Sequence, residues 1–226
     1  MKHTMVQQGK LKAAVLISGT GSNLKALIDA VKSGKLELDI VRVVSNRAQA
    51  GGIGYARAAD IPCSIISHNA YPDRQAHDDA IVRLLDRDQA ELVILAGYMR
   101  ILGNAFIARF NGRMINLHPS LLPLYKGLDT YARALKAGDR ETGASIHVVT
   151  SDLDAGPVIS QVRIPIKTSD NAASLRKRLG PLEHKLLVAT VDQICKRIVR
   201  FEAGEVMVGD HVLEQPLQMN HDGMFR

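Results

Sequence analysis

Short, continuously apolar segments recur along the first half of this chain, and each is followed by a segment with helical spacing or a turn. These segments occupy residues 12–18, 40–45, 63–66, 92–96 and 113–117. A strand that is apolar at every position is buried on both faces, and a helix between two such strands lets them run parallel. The sequence therefore predicts an α/β fold with an open, mostly parallel, twisted sheet and helices on both of its faces.

The pattern changes after the fifth apolar segment. Residues 143–149 and 158–164 alternate polar and apolar side chains, and only a short loop rich in Asp and Gly separates them. A connection of that length permits antiparallel pairing but not a parallel crossover, so we expect antiparallel strands toward the C-terminal part. A long helix is expected over residues 172–200, followed by a closing hairpin of residues 206–208 and 212–213.

The chain contains no segment rich enough in Pro, Gly or Ser to separate two independent units. We therefore expect one domain over residues 12–213, preceded by a flexible N-terminal extension of residues 1–11. Residues 214–226 are polar and contain a Gly, and we expect them to form a loose C-terminal tail.

Composition narrows the classes of function. Of the 226 residues, 46% are apolar and 23% charged, as in globular proteins. The net charge of +6 suggests a nucleic-acid ligand, but the basic residues are mixed with acids and only 4% of residues are aromatic, so we expect no nucleic-acid partner. No apolar run reaches the roughly 18 residues of a membrane helix. Two cysteines and a polar amino end favour a reduced, cytoplasmic setting.

An Asn and a His stand two residues apart at the end of the fifth apolar segment. Side chains two apart in a strand share a face, so Asn116 and His118 should project together. Pro119 should end the strand near that point. The amide of Asn116 can donate to a developing oxyanion, and the imidazole of His118 can move a proton. The pair is a candidate catalytic site, although a buried hydrogen-bonded pair at a strand end would look the same.

A glycine-rich turn joins the first strand to the first helix. Residues 18–23, with the sequence Ser-Gly-Thr-Gly-Ser-Asn, open that helix, where backbone N–H groups and the helix dipole favour an anion such as a phosphate. The turn lacks the Gly-Lys-Ser/Thr ending of a triphosphate loop and the third glycine of a dinucleotide site. We expect it to bind a single phosphate group, and the alternative is an ordinary turn with a capping residue.

The segment of residues 152–157, which contains Asp152 and Asp154, supplies a candidate carboxylate partner for the histidine, because a carboxylate near an imidazole favours its cation and fixes its tautomer. Its sequence, Asp-x-Asp-x-Gly-Pro, is also good turn chemistry, so a purely structural role is equally compatible. His147 lies in an alternating strand and fits either a core or a supporting role. No cluster of Cys, His and Asp has the spacing of metal ligands, and we expect no metal site.

These motifs together resemble the phosphoribosylglycinamide formyltransferases, which are folate-dependent enzymes of purine biosynthesis. The resemblance runs from about residue 12 to residue 213, and its strongest segments are 15–24, 95–102, 115–123 and 152–159. It implies a Rossmann-like formyltransferase fold. It also implies transfer of a formyl group from 10-formyltetrahydrofolate, as co-substrate, to the amine of glycinamide ribonucleotide, in a monomer or a homodimer.

The resemblance implies roles for individual residues. Asn116, His118 and Asp154 match the family's catalytic trio. The positions that match the substrate site are the phosphate-loop residues Gly21, Ser22 and Asn23, an Arg near the phosphate at Arg74, and a ribose contact at Glu183. The positions that match the folate pocket are Met99, Arg100, Ile101, Leu102 and Thr150. Leu122-Pro123 falls where the family has a cis peptide.

The chain departs from the family pattern at two positions. Asp129 and Tyr131 stand where the best-known members have His. We therefore do not assign the family's auxiliary His to this chain, and an acidic Asp129 near the trio is expected to influence Asp154.

Two other functions remain open from the sequence. A formyltetrahydrofolate hydrolase would share the trio but would not need the phosphate loop, and it usually carries an extra amino-terminal domain. A non-catalytic phosphosugar-binding module would need the loop but neither Asn116 nor His118. A tRNA formyltransferase is disfavoured because it would need an added tRNA-binding domain.

Overall fold

The computed structural model describes residues 9–202 and 204–226. The helices of this part of the chain are α1 (Ser22–Lys32), α2 (Gly52–Arg57), α3 (Arg74–Arg87), α4 (Asn104–Arg109), α5 (Thr130–Ala137) and α6 (Ala172–Cys195). Its strands are β1 (Leu11–Ile17), β2 (Leu38–Ser45), β3 (Cys63–Ile65), β4 (Leu92–Leu95), β5 (Met114–His118), β6 (Glu141–Val148), β7 (Val158–Pro165), β8 (Val199–Glu202), β9 (Glu205–Val208), β10 (His211–Val212) and β11 (Leu217–Met219).

Eight of these strands form one sheet in the order β11-β7-β6-β5-β4-β1-β2-β3. The strands from β5 to β3 in this order are parallel, whereas β6 pairs antiparallel with both β5 and β7. The prediction of a mostly parallel sheet with antiparallel strands toward the C-terminal part is confirmed. Strands β8, β9 and β10 form a separate three-stranded antiparallel sheet.

Strand β1 shows why the sheet is covered on both faces. Ala13, Val15 and Ile17 belong to a core shared with α1, α2, α5 and α6. Ala14 and Leu16 belong to a second core shared with α3 and α4. Because successive side chains of a strand point to opposite faces, each face of the sheet needs its own layer of helices.

The predicted long helix over residues 172–200 is wrong at its end. Helix α6 stops at Cys195, and Arg197 adopts a left-handed φ of 56°. Val199 then begins β8, which pairs antiparallel with β9, and the Val199 side chain is buried. The three-stranded sheet needs this strand, and that tertiary pairing overrides the local helical pattern.

The C-terminal residues also differ from the expectation of a loose tail. Leu217–Met219 forms β11, which pairs in parallel with β7 and so becomes an edge of the main sheet. Met219 is buried in the larger core. Without β11, the outer edge of β7 would expose unpaired backbone groups, and this pairing satisfies them.

At the amino end, β1 begins at Leu11, inside the predicted extension of residues 1–11. Residues 1–8 of that extension lie outside the described residues. Within the described chain, no helix has both the length and the apolar character that crossing a membrane requires.

Candidate active site

Asn116 and His118 lie at the carboxyl end of β5, near the centre of the main sheet. The strand ends at His118, immediately before Pro119, as the sequence predicts. His118 is buried, and its Nε2 lies 2.9 Å from the backbone oxygen of Tyr125. Because a carbonyl oxygen only accepts, this contact places a proton on Nε2 and turns Nδ1 toward the loop that follows β6.

Asp154 lies in that loop and meets the pair. Its Oδ2 is 3.3 Å from Nδ1 of His118 and accepts a hydrogen bond of 2.9 Å from the backbone N–H of Gly127. Its Oδ1 lies 3.5 Å from the amide nitrogen of Asn116. The structure therefore brings together the three side chains that were predicted as a trio, although Asp154 is far from the others in sequence.

His147 is a fourth member of the cluster. Its Nε2 lies 3.2 Å from the amide nitrogen of Asn116 and 3.4 Å from Oδ1 of Asp154. Its Nδ1 donates to the backbone oxygen of Val148 at 2.9 Å. The sequence left its role open. The antiparallel register, which places His147 directly opposite Asn116, is the signal that identifies it.

The surroundings shift both titrating groups of the trio. Burial lowers the pKa of His118. The Tyr125 carbonyl and the Asp154 charge raise that pKa, but burial has the larger effect and the pKa lies below its usual value. Burial works to raise the pKa of Asp154, but the hydrogen bond with His147, the Gly127 N–H and the neighbouring imidazole charges outweigh it and leave that pKa below its usual value. An ionised carboxylate therefore faces an imidazole that tends to be neutral.

The glycine-rich turn follows β1 at the same edge of the sheet. Gly21 has a left-handed φ of 77°, and a Cβ there would lie 2.3 Å from the Cα of Gly52. Only glycine allows this approach. Ser22 and Asn23 form the first turn of α1, which has no side-chain cap, so its first N–H groups are available to an anion. Oδ1 of Asn23 is buried and has no hydrogen-bond partner among the described residues.

The four residues Met99, Arg100, Ile101 and Leu102 lie between β4 and α4. Met99 and Ile101 are 60% and 57% exposed, unusual values for large apolar side chains, whereas Leu102 is buried. A loop that presents apolar side chains to solvent is suited to a flat apolar ligand. Thr150 follows β6 in the loop that carries Asp154, and its hydroxyl is 3.4 Å from the backbone oxygen of Asp152.

Arg74 and Glu183 lie on helices that border these loops. Arg74 begins α3, and its Cδ lies close to Gly103, next to the loop of residues 99–102. Glu183 lies on α6 and accepts a hydrogen bond of 2.9 Å from the hydroxyl of Tyr131. Burial raises the pKa of Glu183, and the Tyr131 hydroxyl and the Arg176 charge oppose that effect.

Asp129 does not contact Asp154 through its side chain in the described hydrogen bonds and ion pairs. It precedes α5 with a left-handed φ of 56° and makes no side-chain cap. The peptide bond between Leu122 and Pro123 is cis, as the resemblance implied. Within residues 9–202 and 204–226, no group of three or more His, Cys, Asp or Glu could hold a metal ion.

The parallel sheet, the strand-end Asn and His, and the Asp that meets them define a class of protein. The family model described as "Formyl transferase" matches residues 11–191, and the chain belongs to that family. It is 43% identical over 176 residues to the phosphoribosylglycinamide formyltransferase of Escherichia coli (strain K12), an alignment that covers 78% of this chain and 83% of that protein.

Two further relatives give the same result. The chain is 42% identical over 198 residues to the trifunctional purine biosynthetic protein adenosine-3 of Bos taurus, covering 88% of this chain. It spans only 20% of the length of that protein. The solved phosphoribosylglycinamide formyltransferase of Coxiella burnetii superposes with a TM-score of 0.86 at 43% identity, over 90% of this chain and 95% of that one.

Proposed function

We propose that this chain transfers a formyl group from 10-formyltetrahydrofolate to the amine of glycinamide ribonucleotide, a step of de novo purine biosynthesis. The observation that carries the proposal is the convergence of Asn116, His118 and Asp154 at the carboxyl edge of the sheet. The names of the relatives support the choice of substrates. The proposal includes a cytoplasmic setting, and it leaves a monomer or a homodimer open.

The ribonucleotide would bind where the first and last helices of the main domain meet. We assign its phosphate to the backbone N–H groups of Gly21, Ser22 and Asn23, because the uncapped start of α1 provides donors and a positive dipole end. The ribose would contact the half-buried carboxylate of Glu183. Arg74 would supply a positive charge beside the neighbouring loop.

The folate would bind in the adjacent loops. Its flat ring system would lie against Met99, Ile101 and Leu102, where apolar surface is already exposed. Backbone groups of Arg100 and Thr150 would supply the polar contacts that fix the ring's orientation. This arrangement would bring the formyl carbon to the end of β5, between the two substrates.

The reaction forms one C–N bond and breaks another. The substrate amine attacks the formyl carbon, the carbonyl π electrons move onto oxygen, and the tetrahedral intermediate then expels N10 of the folate. Asn116 would donate to the oxyanion, a contact worth roughly 10²–10³ in rate. The proton lost by the amine ends on N10 of the departing tetrahydrofolate. His118 would carry this proton or hold it beside the oxyanion, and Asp154 would stabilise the imidazolium that forms.

A spectroscopic formyl-transfer assay tests the proposal. With both substrates the purified chain should release tetrahydrofolate, and without the ribonucleotide it should not. Release that is independent of the amine would instead indicate a hydrolase. Ribonucleotide binding in calorimetry without any turnover would indicate a binding module.

His118→Ala is the matched mutational test. Loss of the proton carrier should lower kcat by about 10²–10⁴, while calorimetry should find ribonucleotide affinity nearly unchanged. His211→Ala is the control, because His211 is an exposed residue of the small hairpin. Turnover of His118→Ala comparable to that of the control would reject the assignment.

A further inference from the structure

We propose that the loop of residues 97–103 is clamped at both ends by buried side chains, and that Ser18 and Asp78 are positioning residues that set the affinity for the folate. The inference rests on the proposed function, since that function assigns the folate to this loop. Neither side chain is among the groups assigned to bind substrates or move protons, and both lie on elements that flank the loop.

The first end of the loop is held by Ser18. The backbone N–H of Met99 donates to Oγ of Ser18 at 2.8 Å, and that hydroxyl donates in turn to Oδ1 of Asn46 at 2.6 Å. Ser18 and Asn46 are both buried, at the ends of β1 and β2. The Ser18 hydroxyl thus uses its hydrogen and a lone pair together, and leaving this rotamer would break both hydrogen bonds.

The second end is held by Asp78. The backbone N–H of Gly103, which caps α4, donates to Oδ2 of Asp78 at 2.7 Å. Asp78 lies in the first half of α3, and its side chain is buried. A hydrogen bond to a buried carboxylate is stronger than one between neutral groups, because the acceptor is charged and water cannot compete.

His77 fixes that carboxylate. Its Nδ1 lies 3.0 Å from Oδ1 of Asp78, and its Nε2 lies 3.1 Å from the backbone oxygen of Ile66. The carbonyl only accepts, so Nε2 carries a proton, and Nδ1 is the ring atom that faces the carboxylate. His77 and Asp78 form a fully buried pair, and the carboxylate cannot rotate away from Gly103 without losing its contact with Nδ1.

The segment held at Met99 and Gly103 presents apolar side chains. Met99 and Ile101 are largely exposed, and Gly97, two residues before Met99, allows the turn through a left-handed φ of 77°. A free loop carrying such side chains would lose conformational entropy when a ligand ordered it. A loop already held by the fold loses less, so the same contacts give tighter binding.

The test separates folate affinity from the rest of the reaction. Asp78→Ala removes the acceptor for the Gly103 N–H, and we expect the KM for 10-formyltetrahydrofolate to rise by about tenfold, the effect of a lost buried hydrogen bond. The KM for the ribonucleotide and kcat should stay within about twofold. Ser18→Ala, at the other end of the loop, should raise the folate KM in the same way, and it tests the proposal even if Asp78→Ala does not fold.

Two variants make the test specific. In Asp78→Asn the amide oxygen can accept from Gly103 while the NH₂ group donates to Nδ1 of His77, so the folate KM should return to near the wild-type value. Asp88→Ala is the matched control. Asp88 caps the other end of α3 and pairs with Arg42 in a partly buried ion pair. The Asp88→Ala variant should be less stable than the wild type, but its KM for the folate should be unchanged.

Hydrogen exchange measured by mass spectrometry gives a readout that does not need activity. Amides of residues 97–104 should exchange faster in Asp78→Ala and Ser18→Ala than in the wild type or Asp88→Ala. An unchanged folate KM and unchanged exchange in both loop variants would overturn the clamp, as would equal rises in both substrate KM values. If the wild type transferred no formyl group, the proposed function would fail, and the exchange experiment would still test the clamp.

Discussion

His118 is the side chain on whose environment the proposed chemistry most depends. Its two ring nitrogens face the Tyr125 carbonyl and the Asp154 carboxylate, which are both acceptors. The imidazolium would satisfy both contacts, yet burial lowers the pKa of His118 and favours the neutral ring. The ring is therefore neutral at rest, and both acceptors for its cation are already in place. Such a ring is suited to receive the proton that the attacking amine loses.

This environment predicts the pH dependence of the reaction. In the proposed mechanism neutral His118 receives the proton, so kcat/KM should fall on the acid side, and the enzyme's own contribution should have an apparent pKa below the usual 6.5. Asp154→Asn removes a negative charge that raises the pKa of His118, and the acid limb should therefore move to still lower pH while the rate drops. The amine of the substrate titrates identically with both enzymes, so the shift between them reports the enzyme's own group. An acid limb at higher pH in Asp154→Asn would contradict this account.

The sequence predicted these residues to different degrees, for physical reasons. Asn116 and His118 could be paired because alternation along one strand is a local property. The contact of Asp154 with His118 depends on the loop after β6 folding over the end of β5, and the sequence left catalysis and a simple turn equally open. The position of His147 depends on the register between two strands, which local patterns do not encode.

The helices and strands show the same division between local and tertiary control. Helix α6 begins at Ala172, as its sequence predicts, and the capping box of Asn171 and Ser174 is a local signal for that start. Helix α6 was predicted to continue to residue 200, but the residues of β8 find partners in β9 instead. Strand β11 was missed because three residues without strong periodicity become a strand only when the edge of β7 is available.

Strand β11 gives a prediction about stability. Met219 is 5% exposed and packs in the larger core, whereas Met224, five residues later, is 61% exposed. Met219→Ala should lower the free energy of unfolding by about 2–5 kcal/mol, the usual cost of truncating a buried Met. Met224→Ala should change it by no more than about 0.5 kcal/mol. Urea denaturation of the two variants measures the difference, and equal values would mean that the C-terminal residues are the loose tail the sequence suggested.

At the scale of the whole molecule, two separate cores hold one sheet and leave its carboxyl edge open. The core with α1, α2, α5 and α6 covers one face, and the core with α3 and α4 covers the other. The turn after β1, the loop after β4 and the end of β5 therefore emerge side by side, since β4 lies between the other two strands in the sheet. The alternation of strands and helices predicted this architecture. It did not predict the order of the strands in the sheet, because that order depends on which strands pair in three dimensions.

The charge of the whole chain gives the last prediction. Its net charge of +6 attracts anions, and both proposed substrates are anionic, one through a phosphate and the other through carboxylates. At 0.1 M salt the screening length is about 10 Å, so attraction over longer distances should weaken as salt is added. With the folate saturating, kcat/KM for the ribonucleotide should fall as KCl rises, whereas kcat should stay nearly constant because it describes the bound complex.

Glycinamide riboside, which lacks the phosphate, is the matched control and should show a much weaker salt dependence. Equal slopes for the two substrates would mean that the positive charge of the chain does not act through the phosphate.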